Sequence, residues 1–265
     1  MVFSCKHLLL ILVLAALALP TWAQQTGTTQ GNPPNSAQTV DPDADSVLRK
    51  MSNYLTSLKA FKCTTDNVVE AVLHNGEKLQ FLSSSTVYFQ RPNKLRSDRI
   101  GDIVDARFYY NGKNFALYGK KINKYTVLPA PPNIDKALDD IRSKYGIDPP
   151  AADLLYQNPY AVLMEDVVSG TNMGPSYIHG VRCHHLAYRG REVDWQIWVE
   201  DSKTPLPRRY VITSKNVVGS PEYIVTIYDW NTSPKLSSAM FNFVPPKSAQ
   251  RIDAQEFEKL ANSVR

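Results

Sequence analysis

Asparagine–glycine pairs between stretches of β-forming residues constrain the fold of this chain most strongly. Asn75-Gly76 separates one pair of such stretches, Asn111-Gly112 separates another, and Gly119-Lys120 is a third tight connection. A two-residue Asn-Gly connection is typical of a β-hairpin, because both of its positions adopt positive φ values. Strands joined this closely are antiparallel neighbours. The first half of the chain therefore predicts a meander of six strands, at residues 61–74, 79–89, 95–100, 106–110, 115–118 and 122–128.

Apolar residues recur every three or four positions in two other places, which indicates amphipathic helices. One helix begins at Asp41, a good N-cap, with Pro42 in its first turn, and it extends to Leu58. The other place follows a run of prolines and predicts three short helices, over residues 133–145, 154–156 and 159–164. A hairpin turn would be enough to join neighbouring strands. We therefore interpret this insert as a lid over one face of the sheet.

The second half of the chain again shows strand patterns. Apolar residues alternate with polar ones from Val193 to Glu200, and the second β-run covers Ser176 to Trp230, with strands expected at 181–188, 192–200, 209–213 and 223–230. A last amphipathic helix is predicted over 253–264, with Phe257, Leu260 and Ala261 facing inward. The predicted fold class is α+β: a single curved antiparallel sheet of about 11 strands, forming an open half-barrel, with an N-terminal helix and a short helical lid inserted mid-sheet.

The N-terminus has the pattern of an export signal. Lys6 and His7 precede an apolar stretch from Leu8 to Leu19. The segment Thr21-Trp22-Ala23 then provides small residues at the two positions that a signal peptidase recognises. We expect cleavage after Ala23, so that 1–23 is a signal peptide and the mature protein lies in the periplasm. An uncleaved anchor is the alternative. Residues 24–40 are polar and predicted to be a disordered leader, and 41–265 form one domain.

The charge pattern excludes one class of function. The formal net charge is +5, but no run of five or more basic residues occurs. Nucleic-acid binding needs a concentrated basic stripe, so it is not expected. A mildly basic surface could favour anionic lipid headgroups and transient contact with a membrane surface, or an acidic partner.

Sequence motifs for catalysis are missing. No nucleophile elbow, zinc-protease helix, phosphate-binding glycine loop or Cys-x-x-Cys pair is present, so no catalytic residue, metal or cofactor is predicted. The best alternative is a partial zinc site of His179, Cys183 and His185, completed by Asp194 or Glu192, in a metal-dependent hydrolase.

Two cysteines follow the predicted signal peptide, Cys63 and Cys183. An oxidising compartment permits a disulfide between them if their strands are neighbours. Two buried free thiols are the other interpretation.

Five segments carry a resemblance to a known family: 89–96 (FQRPNKLR), 183–187 (CHHLA), 194–198 (DWQIW), 205–208 (PLPR) and 241–246 (FNFVPP). With the order of predicted elements, they make residues 41–264 resemble the periplasmic lipoprotein-carrier superfamily, within a family of predicted periplasmic proteins of unknown function. The resemblance implies a cavity for an acyl chain between sheet and lid. It also implies an arginine that holds the lid through backbone carbonyls, for which Arg91 and Arg96 are the matching residues.

The leading hypothesis is therefore a non-enzymatic carrier of a lipid or of the acyl chain of a lipidated protein. The lid side chains expected to line its cavity are Leu138, Ile141, Tyr145, Leu154, Leu155 and Leu163. The alternative is an envelope sensor or scaffold that binds another protein and no small molecule. A fully packed interior would favour this alternative.

Overall fold

The structure is a computed structural model, which describes residues 39–145, 147, 151–253 and 255–256. Its first helix, α1 (Pro42–Ser57), begins where the side chain of Asp41 accepts a hydrogen bond from the amide of Asp43. This contact satisfies one of the free N–H groups of the first turn. The apolar stripe of α1 is completely buried at Ala44, Leu48 and Met51, as the periodicity predicts.

One open, mostly antiparallel sheet contains thirteen strands of the described residues. Its order is β1-β8-β9-β10-β11-β12-β2-β3-β4-β5-β6-β7-β13, and only the short outer strands β1 and β13 pair in parallel. The α+β prediction is therefore confirmed. The strands are β1 (Thr39–Val40), β2 (Ala60–Val72), β3 (Lys78–Gln90), β4 (Lys94–Gly101), β5 (Ala106–Tyr110), β6 (Asn114–Gly119), β7 (Lys124–Pro129), β8 (Val167–Ile178), β9 (Val181–Gly190), β10 (Val193–Glu200), β11 (Pro207–Ser214), β12 (Glu222–Asn231) and β13 (Gln250–Arg251).

The predicted hairpins are present, but their connections are longer than two residues, and only the glycine of each Asn-Gly pair has a positive φ. Gly76 between β2 and β3 has φ +85°, and Gly112 between β5 and β6 has φ +86°. This region of the φ/ψ map strains residues that carry a Cβ atom, so glycine suits both turns.

The helical insert connects strands that lie far apart. It comprises α2 (Ile134–Tyr145), a 3₁₀ turn (Ala152–Leu155) and α3 (Pro159–Met164), and we call these three elements the lid. β7 lies near one edge of the sheet and β8 near the other. The expectation that a hairpin could replace the insert is therefore wrong, because the connection has to pass from one edge to the other.

The sheet has two distinct faces. The inner face packs against α1 and the lid, and it carries large apolar side chains from most strands, including Phe61, Phe89, Tyr110, Trp195 and Ile197. The side chains between them in sequence point to the opposite, outer face.

A C-terminal segment, residues 232–252, crosses the outer face, and we call it the strap. It leaves β12, contains a 3₁₀ turn (Ser238–Phe241) and ends in β13, which pairs with β7. The ring of Phe243 lies 5.2–5.8 Å from the rings of Tyr109, Tyr118 and Tyr125 on the outer face. The predicted helix over 253–264 lies largely outside the described residues, as do the signal peptide and nearly all of the leader.

The disulfide hypothesis is wrong, because Cys63 and Cys183 are both free. Cys63 lies on β2 and Cys183 on β9, with three strands between them. Four strand spacings of about 4.8 Å are far beyond the reach of a disulfide. Cys63 also belongs to the core under the helices. Cys183 is an odd number of residues from the inward-pointing Leu186 on β9, so it lies on the outer face.

Neither thiol should react with iodoacetamide at pH 8 in the folded protein. Burial raises the pKa of Cys63 to about 12 and is the main cause that raises the pKa of Cys183 to about 11, so the reactive thiolate is scarce. Peptide mapping by mass spectrometry should show both residues alkylated only after denaturation. Denatured, unreduced protein that still resists alkylation at both positions would contradict the free-thiol assignment.

Candidate functional site

The lid presents its apolar side chains to the inner face of the sheet. Leu138, Ile141, Leu154 and Leu163 are each at most 6% exposed, and they belong to the same core cluster as the inner-face aromatics. The other two predicted residues, Tyr145 and Leu155, are partly buried and pack against that cluster. The structure therefore brings four of the six predicted lid residues into the same core as the inner-face aromatics and packs the other two against that core.

One part of the inner face, on β2, β3 and β4, is polar. Thr65, Asn67, Ser83 and Ser85 lie side by side on β2 and β3, and the amide of Asn67 donates to Thr65, to the Ser83 carbonyl and to Ser85. Arg99 from β4 donates to the Ser83 hydroxyl at 2.9 Å. The sequence analysis missed this polar region, although the serine run 83–85 inside a predicted strand was a signal for it.

Arg91 joins the sheet to the lid. It follows β3, and its Nη2 donates to the backbone carbonyl of Tyr156, directly after the 3₁₀ turn, at 3.2 Å. The guanidinium lies 5.1 Å above the ring of Phe89. Its Nε and Nη1 are shielded from solvent and have no hydrogen-bond partner among the described residues. Burial lowers the pKa of the guanidinium, while the nearby carboxylate of Asp135 acts in the opposite direction.

Arg96 does not approach the lid, so the expectation that it holds the lid is wrong. It alternates with the buried Leu95 on β4 and therefore lies on the outer face. Its guanidinium pairs with Asp98 at 2.6 Å and donates to the carbonyl of Met240 in the strap at 3.3 Å. The two-residue period of the strand could have shown that Arg96 points to the outer face, because its apolar neighbour Leu95 must point inward.

Two polar clusters hold the lid in place, one between α3 and α1 and one within the lid. In the first, Arg49 of α1 pairs with Asp45 at 2.6 Å and donates to the hydroxyl of Tyr160 in α3, which itself donates to Asp45. The hydrogen bond from Arg49 is the main cause that lowers the pKa of Asp45. These contacts attach α3 to α1 through exposed or half-exposed groups.

The second cluster lies within the lid. Arg142 of α2 contacts Asp153 at 2.8 Å and the hydroxyl of Tyr156 at 3.0 Å, and that hydroxyl donates to Asp139. The amide of Gln157 donates to Asp135 at 2.9 Å. Burial raises the pKa of Asp135, although this hydrogen bond and Arg91 oppose the shift. The clusters fix the lid elements to each other more than to the sheet.

The residues of the alternative zinc site are not brought together. His185 stacks on Trp198 with ring centroids 4.1 Å apart and contacts Gln196 at 2.9 Å, while His179 lies against Tyr228. Asp194 faces Arg189 across the β9–β10 hairpin, six residues along β10 from Glu200, the pairing partner of Cys183. Among the described residues, no group of three His, Cys, Asp or Glu side chains is placed to hold a metal ion.

No helix in the part of the chain that the structure covers is both long and apolar enough to span a bilayer. The side chains that reach the lid–sheet interface are instead distributed over short helices and strands. The fold and this interface define an α+β protein with a lid of short helices on one face of a large sheet.

Family comparison assigns the chain more closely. Residues 44–255 match the model of a family described as predicted periplasmic protein (DUF2092), and the chain belongs to this family. No curated protein matches the chain significantly.

Several solved structures are similar to this one at low sequence identity. An uncharacterized conserved protein from Thermus thermophilus is 12% identical with a TM-score of 0.48, over 79% of this chain and 98% of that one. The lipoprotein LppX from Mycobacterium tuberculosis is 12% identical with a TM-score of 0.44, over 74% of this chain and 100% of that one. A LolA superfamily protein from Nitrosomonas europaea is 11% identical with a TM-score of 0.39, over 76% of this chain and 97% of that one.

Proposed function

We propose that the protein is a periplasmic, non-enzymatic carrier that holds an acyl chain of a lipid or a lipidated protein between the inner face and the lid. Its export by a cleaved signal peptide at residues 1–23 is part of the proposal. The observation that supports it is the lid: three short elements contribute six apolar side chains to the core cluster, or pack them against it, at Leu138, Ile141, Tyr145, Leu154, Leu155 and Leu163.

The energetics favour reversible holding. An acyl chain that replaces the lid–sheet contacts gains about 0.8 kcal/mol per buried methylene. The lid elements have 12, 4 and 6 residues, and helices this short depend on tertiary contacts for their stability. A segment with such low local stability can open without unfolding the sheet.

Native mass spectrometry tests the proposal directly. The exported protein, purified from a bacterial membrane-containing host without detergent, should carry an added mass equal to a lipid or fatty acid. After delipidation it should take up a fluorescent fatty acid from solution. Repeated absence of both the added mass and the uptake would refute the carrier.

Arg91 provides a second test. Replacing Arg91 by Met removes the bond to the Tyr156 carbonyl, and a hydrogen bond from a charged group contributes about 1.5–3 kcal/mol. Amide hydrogen exchange in α2 and α3 should therefore be roughly tenfold faster than in the wild type. Arg96→Met is the matched control on the outer face and should leave lid exchange unchanged. Equal acceleration by both variants would show that Arg91 has no particular role at the lid.

The second candidate function is the envelope sensor or scaffold, and specific observations favour it. The inward-facing lid leucines and Ile141 are closely packed in this structure. In addition, among the described residues β1 pairs with β8 only at Ser169 and Gly170, and further along β8 the side chains of Met173 and Tyr177 are 61% and 66% exposed. An exposed strand edge can pair with another protein. Lipid-free protein that captures an envelope protein through β8 would select this function.

A further inference from the structure

A groove of about 400 Å³ opens on the outer side of the sheet, at the corner closest to Arg91. Its walls are the start of β2 at Lys59 and Ala60, the residues 90–92 after β3, and the first part of the strap at Pro234 and Leu236. Most of the groove lies on the outer side, because Ala60 and Gln90 alternate with the inward-facing Phe61 and Phe89. Arg91 is the lining residue that also contacts the lid.

Lysines surround this groove. Lys59 lines it, Lys62 is the next outward-facing residue along β2, Lys94 pairs with Gln90, and Lys235 lies between the two lining residues of the strap. None of the four forms an ion pair with another residue of the described chain; Lys62 lies 5.7 Å from the ring of Tyr88. By contrast, Arg96 on β4 forms an ion pair with Asp98.

Two residues that line the groove, Gln90 and Arg91, carry buried polar atoms. Oε1 of Gln90 and both Nε and Nη1 of Arg91 are buried and have no hydrogen-bond partner in the described residues. Buried polar groups in proteins generally have a hydrogen-bond partner, so these atoms have capacity for a bond to a ligand or to water. The remaining walls are apolar, at Ala60, Pro92, Pro234 and Leu236. A ligand that suits this combination has a negative charge, further polar atoms and an adjoining hydrocarbon part.

We propose that the groove and its lysines form a docking site for the anionic phospholipid headgroups of a membrane surface. Positive charges without acidic partners are complementary to a phosphate headgroup, and they attract an anionic bilayer through its surface potential. The apolar walls accept the glycerol and the first methylenes below the phosphate. Docking here places Arg91, and with it the Tyr156 end of the lid, next to the bilayer.

Vesicle binding tests this site independently of acyl-chain uptake. The full-length mature protein should bind vesicles that contain phosphatidylglycerol and should not bind pure phosphatidylcholine vesicles in co-sedimentation. Lys59→Gln/Lys235→Gln should weaken the binding about 30-fold, at roughly fivefold for each lysine near an anionic surface. Raising the salt to 0.5 M should release the wild type, because salt screens these charges.

The matched control is Lys121→Gln/Lys247→Gln. It removes the same charge from exposed positions at the far end of β7, where Asn123 contacts Ser248. This control should bind within about twofold of the wild type. The proposal is overturned if the control loses as much binding as the groove variant, if the groove variant binds like the wild type, or if phosphatidylcholine vesicles bind equally well.

Uptake of a fluorescent fatty acid in solution separates the two proposals. The groove variant should keep wild-type uptake, since its lysines are exposed and lie outside the lid–sheet interface. If the wild type binds vesicles but takes up no fatty acid, the carrier proposal is refuted and the docking proposal is retained. Loss of uptake by the groove variant alone would refute a separate docking site.

Discussion

Uptake of an apolar ligand is expected to fall at least about 100-fold when Leu138 and Ile141 are both replaced by Asp. Each native side chain contributes about 1.5–3 kcal/mol of apolar burial, and 1.4 kcal/mol is a factor of ten in affinity. A carboxylate at either position would lie in the apolar core without a partner, so the inner side of α2 would no longer offer a hydrocarbon surface. Fluorescent fatty-acid titration of delipidated protein measures the effect.

The matched control for this variant uses the outer side of the same helix. Lys136→Asp/Ser143→Asp introduces two carboxylates at exposed positions of α2 and should keep uptake within about threefold. If the Leu138/Ile141 variant fails to fold by circular dichroism, Leu155→Asp replaces it, because Leu155 is only partly buried. Wild-type uptake by a folded Leu138/Ile141 or Leu155 variant would exclude the lid as part of the binding site.

Replacing Phe241 by Ala is expected to lower the free energy of unfolding by about 3–5 kcal/mol. The side chain is completely buried, and truncation of a buried phenylalanine loses its apolar transfer energy and leaves a cavity. The effect should be large because the 3₁₀ turn at Ser238–Phe241 packs on β4 next to the bond between Arg96 and Met240. Urea denaturation followed by tryptophan fluorescence gives the difference.

Val244→Ala is the control within the strap. Val244 is 81% exposed, so its truncation should change the free energy of unfolding by no more than about 0.5 kcal/mol. Should Phe241→Ala cost less than about 1 kcal/mol, the strap would be a surface attachment that contributes little to the stability of the sheet.

Local sequence patterns predicted the elements that local energetics decide. The Asn-Gly turns, the N-cap of α1 and the apolar stripe of α2 each depend on residues within one or two turns of chain. The strand β8 was recognised only from Ser176, although it begins at Val167. Its glycines and Pro175 are poor strand formers, and they are tolerated because β8 lies near an edge of the sheet.

Long-range contacts explain what the sequence could not predict. The pairing of β12 with β2 joins residues about 160 positions apart, and it places Cys63 and Cys183 on strands with three other strands between them. The two-residue strands β1 and β13 are too short for any periodicity, so the predicted eleven strands became thirteen. Arg91 was correctly associated with the lid, but the choice between Arg91 and Arg96 required the orientation of each side chain relative to Leu95.

The insertion of the lid between β7 and β8 limits how it can move. Its two ends connect to strands near opposite edges of the sheet, so the lid crosses the inner face and is attached at both ends. A lid attached at both ends cannot rotate away from the sheet about a single hinge. Under the proposed carrier function, an acyl chain would enter only if the lid bends away from the sheet or the two edges of the sheet move apart, so the stiffness of the whole sheet would contribute to the rate of uptake.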